Sequence, residues 1–320
     1  MPSNLGKRFL VLAAVLFCLL SLAACAPTAY KQPVAKFNEA TDTAKKVYFQ
    51  QMDNVSESYA ERWRVKRQLD LLAKNDRSVL KMNSAQVNSY EVISEKSLEI
   101  RILAFQSLEF YGKTLKALAS DDNVDALKEQ ISGFTGEVDN SLQTLAKVSE
   151  VTGQLNFLDK ATSLSGPVGA VSQAISQIVK YITDYMREKA LKTAIIEVQP
   201  SLDRLLALLR DEAKLAASTS RSNYLNDYKV CLKTLQMEGA VSEPTARLLA
   251  FNICATSGQK VLKAAPDKEV AEVLDLVIKT HSELYAMAQG GKWDKAVLKI
   301  QQFSQRLGLL NEKMSFNAGQ

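Results

Sequence analysis

The chain has 320 residues, of which 47% are hydrophobic and 23% are charged, so it can bury a sizeable core and is not disordered throughout. Seven prolines, thirteen glycines and 7% aromatic residues are too few for a sandwich or barrel of many short strands. One histidine, His281, excludes an intramolecular site that needs two imidazoles and leaves few routes to a hydrolytic triad or a zinc enzyme. We therefore expect an all-α protein.

The first feature along the chain is a positive stretch followed by an apolar run. Lys7 and Arg8 precede an uncharged run from Phe9 to Leu22. This run has the length of a signal-peptide core and is shorter than the roughly 20 residues that a membrane-spanning helix needs. It ends in Leu22-Ala23-Ala24-Cys25, which resembles the lipobox of bacterial lipoproteins.

The resemblance implies a lipid anchor on Cys25. In such proteins Leu22, Ala23 and Ala24 are recognised as the signal, residues 1–24 are removed, and the Cys25 sulfur is joined to diacylglycerol. Two or three acyl chains would make membrane attachment effectively permanent. A plain secretory signal cleaved near Ala24 is the alternative, because small residues alone satisfy such a cleavage site.

The residue that follows Cys25 indicates the membrane to which such a lipoprotein is sorted. Ala26 stands where lipoproteins of diderm bacteria usually carry Asp when they stay in the inner membrane, so the resemblance implies the periplasmic side of the outer membrane. Removal of residues 1–24 leaves 38 Lys and Arg against 35 Asp and Glu, a net charge of +3. The most basic stretch, Arg62 to Arg67 around Trp63, points in several directions on a helix, so we expect a solvated face and no nucleic-acid partner.

Residues 25–33 contain two prolines and no helical stripe, which predicts a short tether between the lipid and the domain. No proline occurs from Val34 to Gly166, and apolar residues there recur every three or four positions, which predicts long amphipathic helices, the last of them with a nearly heptad, coiled-coil-like period. We therefore predict an elongated bundle of long antiparallel amphipathic helices over residues 34–217. A smaller C-terminal helical subdomain is predicted over residues 218–320.

A charge-free stretch from Ala161 to Val179 contains Gly166, Pro167 and Gly169. It predicts a loop followed by the start of a buried helix that continues to Val198. The alternatives are a membrane-inserting tip, for which six Ser and Gln side chains would have to enter lipid, and a groove for a partner. Pro200 then either kinks a long helix or begins a new one.

Cys231 and Cys254 remain as an even pair in a compartment that oxidises thiols. They flank a predicted turn, so we expect a disulfide that joins the two helices of a hairpin, provided that the helices are staggered or that the turn is looser than predicted. Two buried free thiols or a redox pair are the alternatives.

The last part of the chain predicts two further helices. The string from Gly291 to Ala296 resembles the middle turn of a tetratricopeptide unit, but it covers barely one unit, so an ordinary helix hairpin is expected. His281 lies inside the preceding helix with no cysteine or second histidine nearby, which favours a surface or capping role.

No Walker loop, Rossmann glycine fingerprint, Gly-x-Ser-x-Gly elbow or His-Glu-x-x-His helix occurs in the sequence. We therefore expect a non-catalytic lipoprotein, with no cofactor and no metal, that presents its helices to an envelope protein or to the cell wall. Two alternatives stay open: a membrane-active or pore-like protein that uses residues 161–179, and an enzyme that acts on the cell wall through carboxylates.

Overall fold

The computed structural model describes residues 26–74, 95–120, 124–146, 158–182, 187–236, 241, 243–264 and 266–319. Every element in these ranges is helical, and they contain no strand, so the all-α prediction is confirmed. The elements are α1 Ala26–Ala29, α2 Lys31–Lys74, α3 Glu95–Ala119, α4 Val124–Ala146, α5 Leu158–Ile178 with the 3₁₀ turn Val179–Tyr181, α6 Arg187–Gln236, α7 Pro244–Lys263, α8 Asp267–Ala288 and α9 Trp293–Gly319.

Helix α6 is the centre of the bundle, because it packs against α2, α3, α5, α7 and α8. Its buried apolar residues recur every three or four positions, so a broad stripe faces several neighbours at once. The middle of this stripe is Leu202, Leu205, Leu206, Leu209 and Ala213. These residues belong to one hydrophobic core with contributions from α2 to α6 and from α8 and α9.

The predicted tether is helical from Ala26 onward. Pro33 lies in the first turn of α2, where the missing N–H has no helical partner to lose. The Val34 N–H donates to the Tyr30 carbonyl at 2.9 Å, and the side chains of both residues are fully buried. This burial stabilises the helical conformation, which the prolines alone did not indicate.

The charge-free stretch is also helical where the structure describes it, which corrects the expected loop. Pro167 lies inside α5, and Leu164, Val168 and Val171 on either side of it are buried in the main core. Their burial offsets the cost of about 3 kcal/mol that proline brings to a helix interior. The helix ends at Ile178 instead of continuing to Val198.

Helix α6 then begins at Arg187 and runs through Pro200, so no helix begins at that proline. Residue 217, where the domain boundary is predicted, falls inside the same helix. The division into a bundle and a subdomain stays a prediction. A second, small core of Val65, Leu69, Cys231, Ala250 and Cys254 lies where α2, α6 and α7 meet.

Helices α8 and α9 form a hairpin whose turn explains the two adjacent glycines. Gly290 has a φ of 87°, in the left-handed region that favours glycine. The Gly291 N–H donates to the Ala286 carbonyl at 2.8 Å, which caps α8. The Trp293 ring then packs edge-on against Tyr30, with ring centroids 4.5 Å apart. The resemblance to a tetratricopeptide turn therefore reflects a local helix cap.

The disulfide should contribute to global stability, because it closes a loop with a sequence separation of 23. The variant Cys231→Ser/Cys254→Ser is expected to lose about 3 kcal/mol of unfolding free energy. Urea unfolding with and without a reductant measures this loss. The variant should not respond to the reductant, and a reductant-insensitive wild type would contradict the expectation.

Candidate functional site

The residues predicted as sites fall into two groups. Leu22, Ala23, Ala24 and Cys25 lie outside the described residues. Cys231 and Cys254 lie within disulfide distance, with their Cα atoms 5.4 Å apart, as predicted. Cys231 is near the end of α6, whereas Cys254 lies almost three turns into α7, so the helices are staggered as this bond requires.

A buried ion pair lies in the middle of the bundle. The guanidinium of Arg101 on α3 is bonded to the carboxylate of Glu212 on α6, and its Nε is 3.1 Å from Glu212 Oε2. The same Nε lies 3.0 Å from the hydroxyl oxygen of Tyr48 on α2. Tyr48 in turn donates to Glu212, and Arg101 also donates to the backbone carbonyl and the hydroxyl of Ser97. None of the four side chains is more than 4% exposed.

This cluster has a structural role. Burial, and secondarily the charge of Glu212, raise the pKa of Tyr48 well above its usual value, so Tyr48 keeps its proton and acts as a donor. The cluster is closed to solvent, and each charged group is bonded to another member. It joins α2, α3 and α6 at one level of the bundle.

A second polar cluster contains His281, which is fully buried and not at the surface as predicted. Its Nδ1 lies 2.6 Å from Gln199 Oε1, and its Nε2 lies 2.7 Å from the Tyr111 hydroxyl. Gln199 Nε2 donates to Asp203 at 2.6 Å, which leaves the amide oxygen to accept from His281 Nδ1. His281 Nε2 therefore accepts from Tyr111.

Burial lowers the pKa of His281 to about 3, so the ring is neutral at physiological pH. Each ring nitrogen is occupied by a hydrogen bond, and the Phe37 ring lies 5.3 Å from the imidazole. The sequence around His281 contains no sign of this arrangement, because Gln199 and Tyr111 are distant in the chain. The residue links α3, α6 and α8.

The hypothesis of a carboxylate enzyme needs two acids close together. Burial raises the pKa of Asp203, and it raises the pKa of Asp227 to about 6 against the opposing charges of Arg62 and Lys260. Both lie on α6, where 24 residues correspond to about 36 Å. Glycosidases hold their two carboxyls within about 10 Å, so these two acids do not form such a pair. Over the described ranges, no group of three or more His, Cys, Asp or Glu is arranged to hold a metal ion.

Polar contacts also hold the far end of the bundle, where α7 packs on α2 and α6. Lys260 Nζ lies 3.0 Å from Glu57 Oε1 and 3.1 Å from Glu61 Oε2, both on α2. Asn223 on α6 donates to the Ser58 hydroxyl at 3.0 Å. The bonds of Lys260 and the disulfide fix α7 to the bundle over the small second core, whereas the Asn223 bond joins α6 to α2.

Helix α7 is the most exposed apolar feature among the described helices. Leu248, Phe251 and Leu262 are 62%, 61% and 82% exposed. A groove of about 440 Å³ separates α7 from the last turns of α2. Its apolar lining is Leu71, Leu72, Leu249 and Ile253. Exposed apolar surface of this kind is typical of an interaction site, and it is the best candidate for one here.

Comparison of the chain with protein-family models, with curated proteins and with solved structures finds no match. None of the described helices has an apolar stretch long enough to cross a bilayer.

The buried ion pair gives a stability prediction. Glu212→Gln is expected to lower the free energy of unfolding by about 3–5 kcal/mol, because it leaves the Arg101 charge buried without its partner. The double variant Arg101→Met/Glu212→Leu should be more stable than Glu212→Gln, since no lone charge remains. Urea unfolding at constant pH compares the two, and a double variant less stable than Glu212→Gln would contradict this account.

His281 gives a pH prediction. The pKa of His281 in the folded state, about 3, is below its value of 6.5 in the unfolded chain, so acid favours unfolding. The contribution of the neutral, buried His281 to the free energy of unfolding is fully present above about pH 6.5 and is lost as the pH falls toward 3. Between pH 7 and pH 4 it should remove about 3 kcal/mol.

The variant His281→Gln isolates this effect, because the raised pKa values of Asp203 and Asp227 act in the opposite direction in both proteins. The stability advantage of the wild type should shrink by about 3 kcal/mol from pH 7 to pH 4. A constant difference between the two proteins across this range would show that His281 is not buried and neutral.

Proposed function

We propose that this protein is a lipid-anchored lipoprotein on the periplasmic side of the outer membrane, with a non-catalytic structural or protein-interaction role in the cell envelope. The observation that carries the proposal is Leu22-Ala23-Ala24-Cys25 at the end of an uncharged apolar run. Cys25 would bear the lipid, and residues 1–24 would be removed.

The beginning of the described fold supports this assignment. Only Ala26–Ala29 separate Cys25 from Tyr30, whose side chain is fully buried and packs against Trp293. A lipid on Cys25 would therefore hold the bundle directly at the membrane surface. Helix α2 has 44 residues and a length of about 65 Å, so it would carry the other end of the bundle well away from the anchor.

The polar clusters of the core support a non-catalytic role. Arg101, Glu212 and Tyr48 bond to one another, and His281 is held neutral between Tyr111 and Gln199. Such groups align helices and offer no reactive atom to a substrate. Contact with other components of the envelope would instead use exposed surfaces of the bundle, such as that of α7, where large apolar side chains are exposed.

The membrane-inserting alternative receives less support. The stretch 161–179 would have to leave the bundle to enter lipid, and most of its described apolar side chains are part of the main core. Extraction would expose Val168, Val171 and Ile175, each fully buried, at a cost of about 1.5–3 kcal/mol per side chain.

Growth with labelled palmitate tests the anchor. The wild-type chain should incorporate label and lose residues 1–24, and Cys25→Ser should incorporate none and keep those residues, because the acceptor sulfur is gone. Cys18→Ser is the matched control, since it removes the other cysteine of the leader and should leave labelling unchanged. Label retained in Cys25→Ser would overturn the proposal.

A further inference from the structure

Helix α7 presents large apolar side chains to solvent on one side. Leu248, Phe251 and Leu262 lie on this side together with Ala255 and Gly258, at alternating spacings of three and four residues. A neighbouring side of α7, turned by about 100° around the helix axis, is buried against the bundle through Ala250, Cys254 and Ser257. Leu248, Phe251 and Leu262 are therefore not among the residues that hold α7 in place.

The stripe continues onto α6. The Tyr228 ring packs over Gly258, so close that a Cβ atom at that glycine would lie 3.2 Å from the ring. Leu225 lies three residues before Tyr228, on the same side of α6, and is 38% exposed. We call Leu225, Leu248, Phe251 and Leu262 the hairpin face, after the disulfide-linked hairpin of α6 and α7.

The exposed charges within α7 are positive, and one exposed acid, Glu243, directly precedes the helix. Between Pro244 and Lys263 the sequence contains Arg247, Lys260 and Lys263 and no acidic residue. Arg247 and Lys263 are exposed at the two ends of α7, whereas Lys260 is bonded to Glu57 and Glu61. Exposed leucine and phenylalanine flanked by cations are typical of helices that lie in the interface of an anionic bilayer.

We propose that the hairpin face binds the surface of an anionic phospholipid bilayer. Its apolar side chains protrude from a convex helix, which suits insertion between lipid head groups. A second copy of this chain is a poorer occupant, because pairing two hairpin faces would bring Arg247 and Lys263 of each copy together, and Glu243 at the start of α7 offsets one of these two positive charges. The contact does not depend on the lipid anchor. Because α2 separates the two ends of the bundle by about 65 Å, the anchor and the hairpin face can reach one bilayer when α2 lies along its surface.

Vesicle flotation tests the proposal with residues 26–320, which include every described residue and lack Cys25. We expect binding to vesicles of phosphatidylglycerol and phosphatidylcholine in equal amounts, and at least about ten-fold weaker binding to phosphatidylcholine alone. Raising the salt from 0.1 to about 0.5 M should weaken binding, because the attraction between the exposed cations and the lipid is screened.

Leu248→Asp should weaken binding about ten-fold or more, because it removes an inserting side chain and adds an acid. Leu309→Asp is the matched control: Leu309 on α9 is 60% exposed, against 62% for Leu248, and its change should leave binding intact. Arg247→Glu/Lys263→Glu should remove the salt-sensitive part of binding. Lys292→Glu/Lys295→Glu makes the same change of charge at the start of α9 and should leave the salt-sensitive part of binding intact.

Thermal unfolding and a free-thiol assay confirm that each variant remains folded with its disulfide. The proposal is overturned if binding does not distinguish the two lipid mixtures, if Leu309→Asp loses as much binding as Leu248→Asp, or if no vesicle is bound. A dimer that Leu248→Asp dissociates would identify a second copy as the occupant instead. Release of a dye enclosed in the vesicles would indicate membrane disruption and would also overturn surface binding.

Discussion

The ion pair between Arg101 and Glu212 constrains how the long helices of the bundle are aligned. Apolar side chains at helical spacing can interdigitate in more than one register, since a shift by one turn of about 5.4 Å brings similar residues into contact. The same shift would separate two charges that have no access to water, at a cost of several kcal/mol. The Tyr48 hydroxyl adds α2 to this alignment, so three helices share one register.

This alignment determines what each end of the bundle contains. One end has Tyr30 against Trp293, next to the position of the proposed anchor. The other end has only a small second core of five residues, which is too little apolar burial to hold α7 firmly. The disulfide and the bonds of Lys260 supply the remaining attachment. Covalent support here allows α7 to keep large apolar side chains exposed.

The sequence predicts the fold class because the helical spacing of apolar residues can be recognised without knowing which helices pack together. It predicts the cysteine pair because two thiols in the oxidising compartment that the signal-like sequence predicts have few alternatives. It misplaces His281, since Tyr111 and Gln199, which satisfy its ring nitrogens, lie 170 and 82 residues away. It also misreads residues 26–33 and 161–179, where proline suggests irregular structure but burial in the tertiary fold favours a helix.

Helix α7 reverses the usual distribution of side-chain size. It buries the small residues Ala250, Cys254 and Ser257 and exposes large ones, whereas a helix packed on a core usually does the opposite. Small residues inside allow α6 to approach closely enough for Cα atoms 5.4 Å apart, which the disulfide requires. Large residues outside contribute nothing to that packing. A surface which the fold does not need, but which covalent bonding maintains, supports the proposal that α7 contacts something outside the chain.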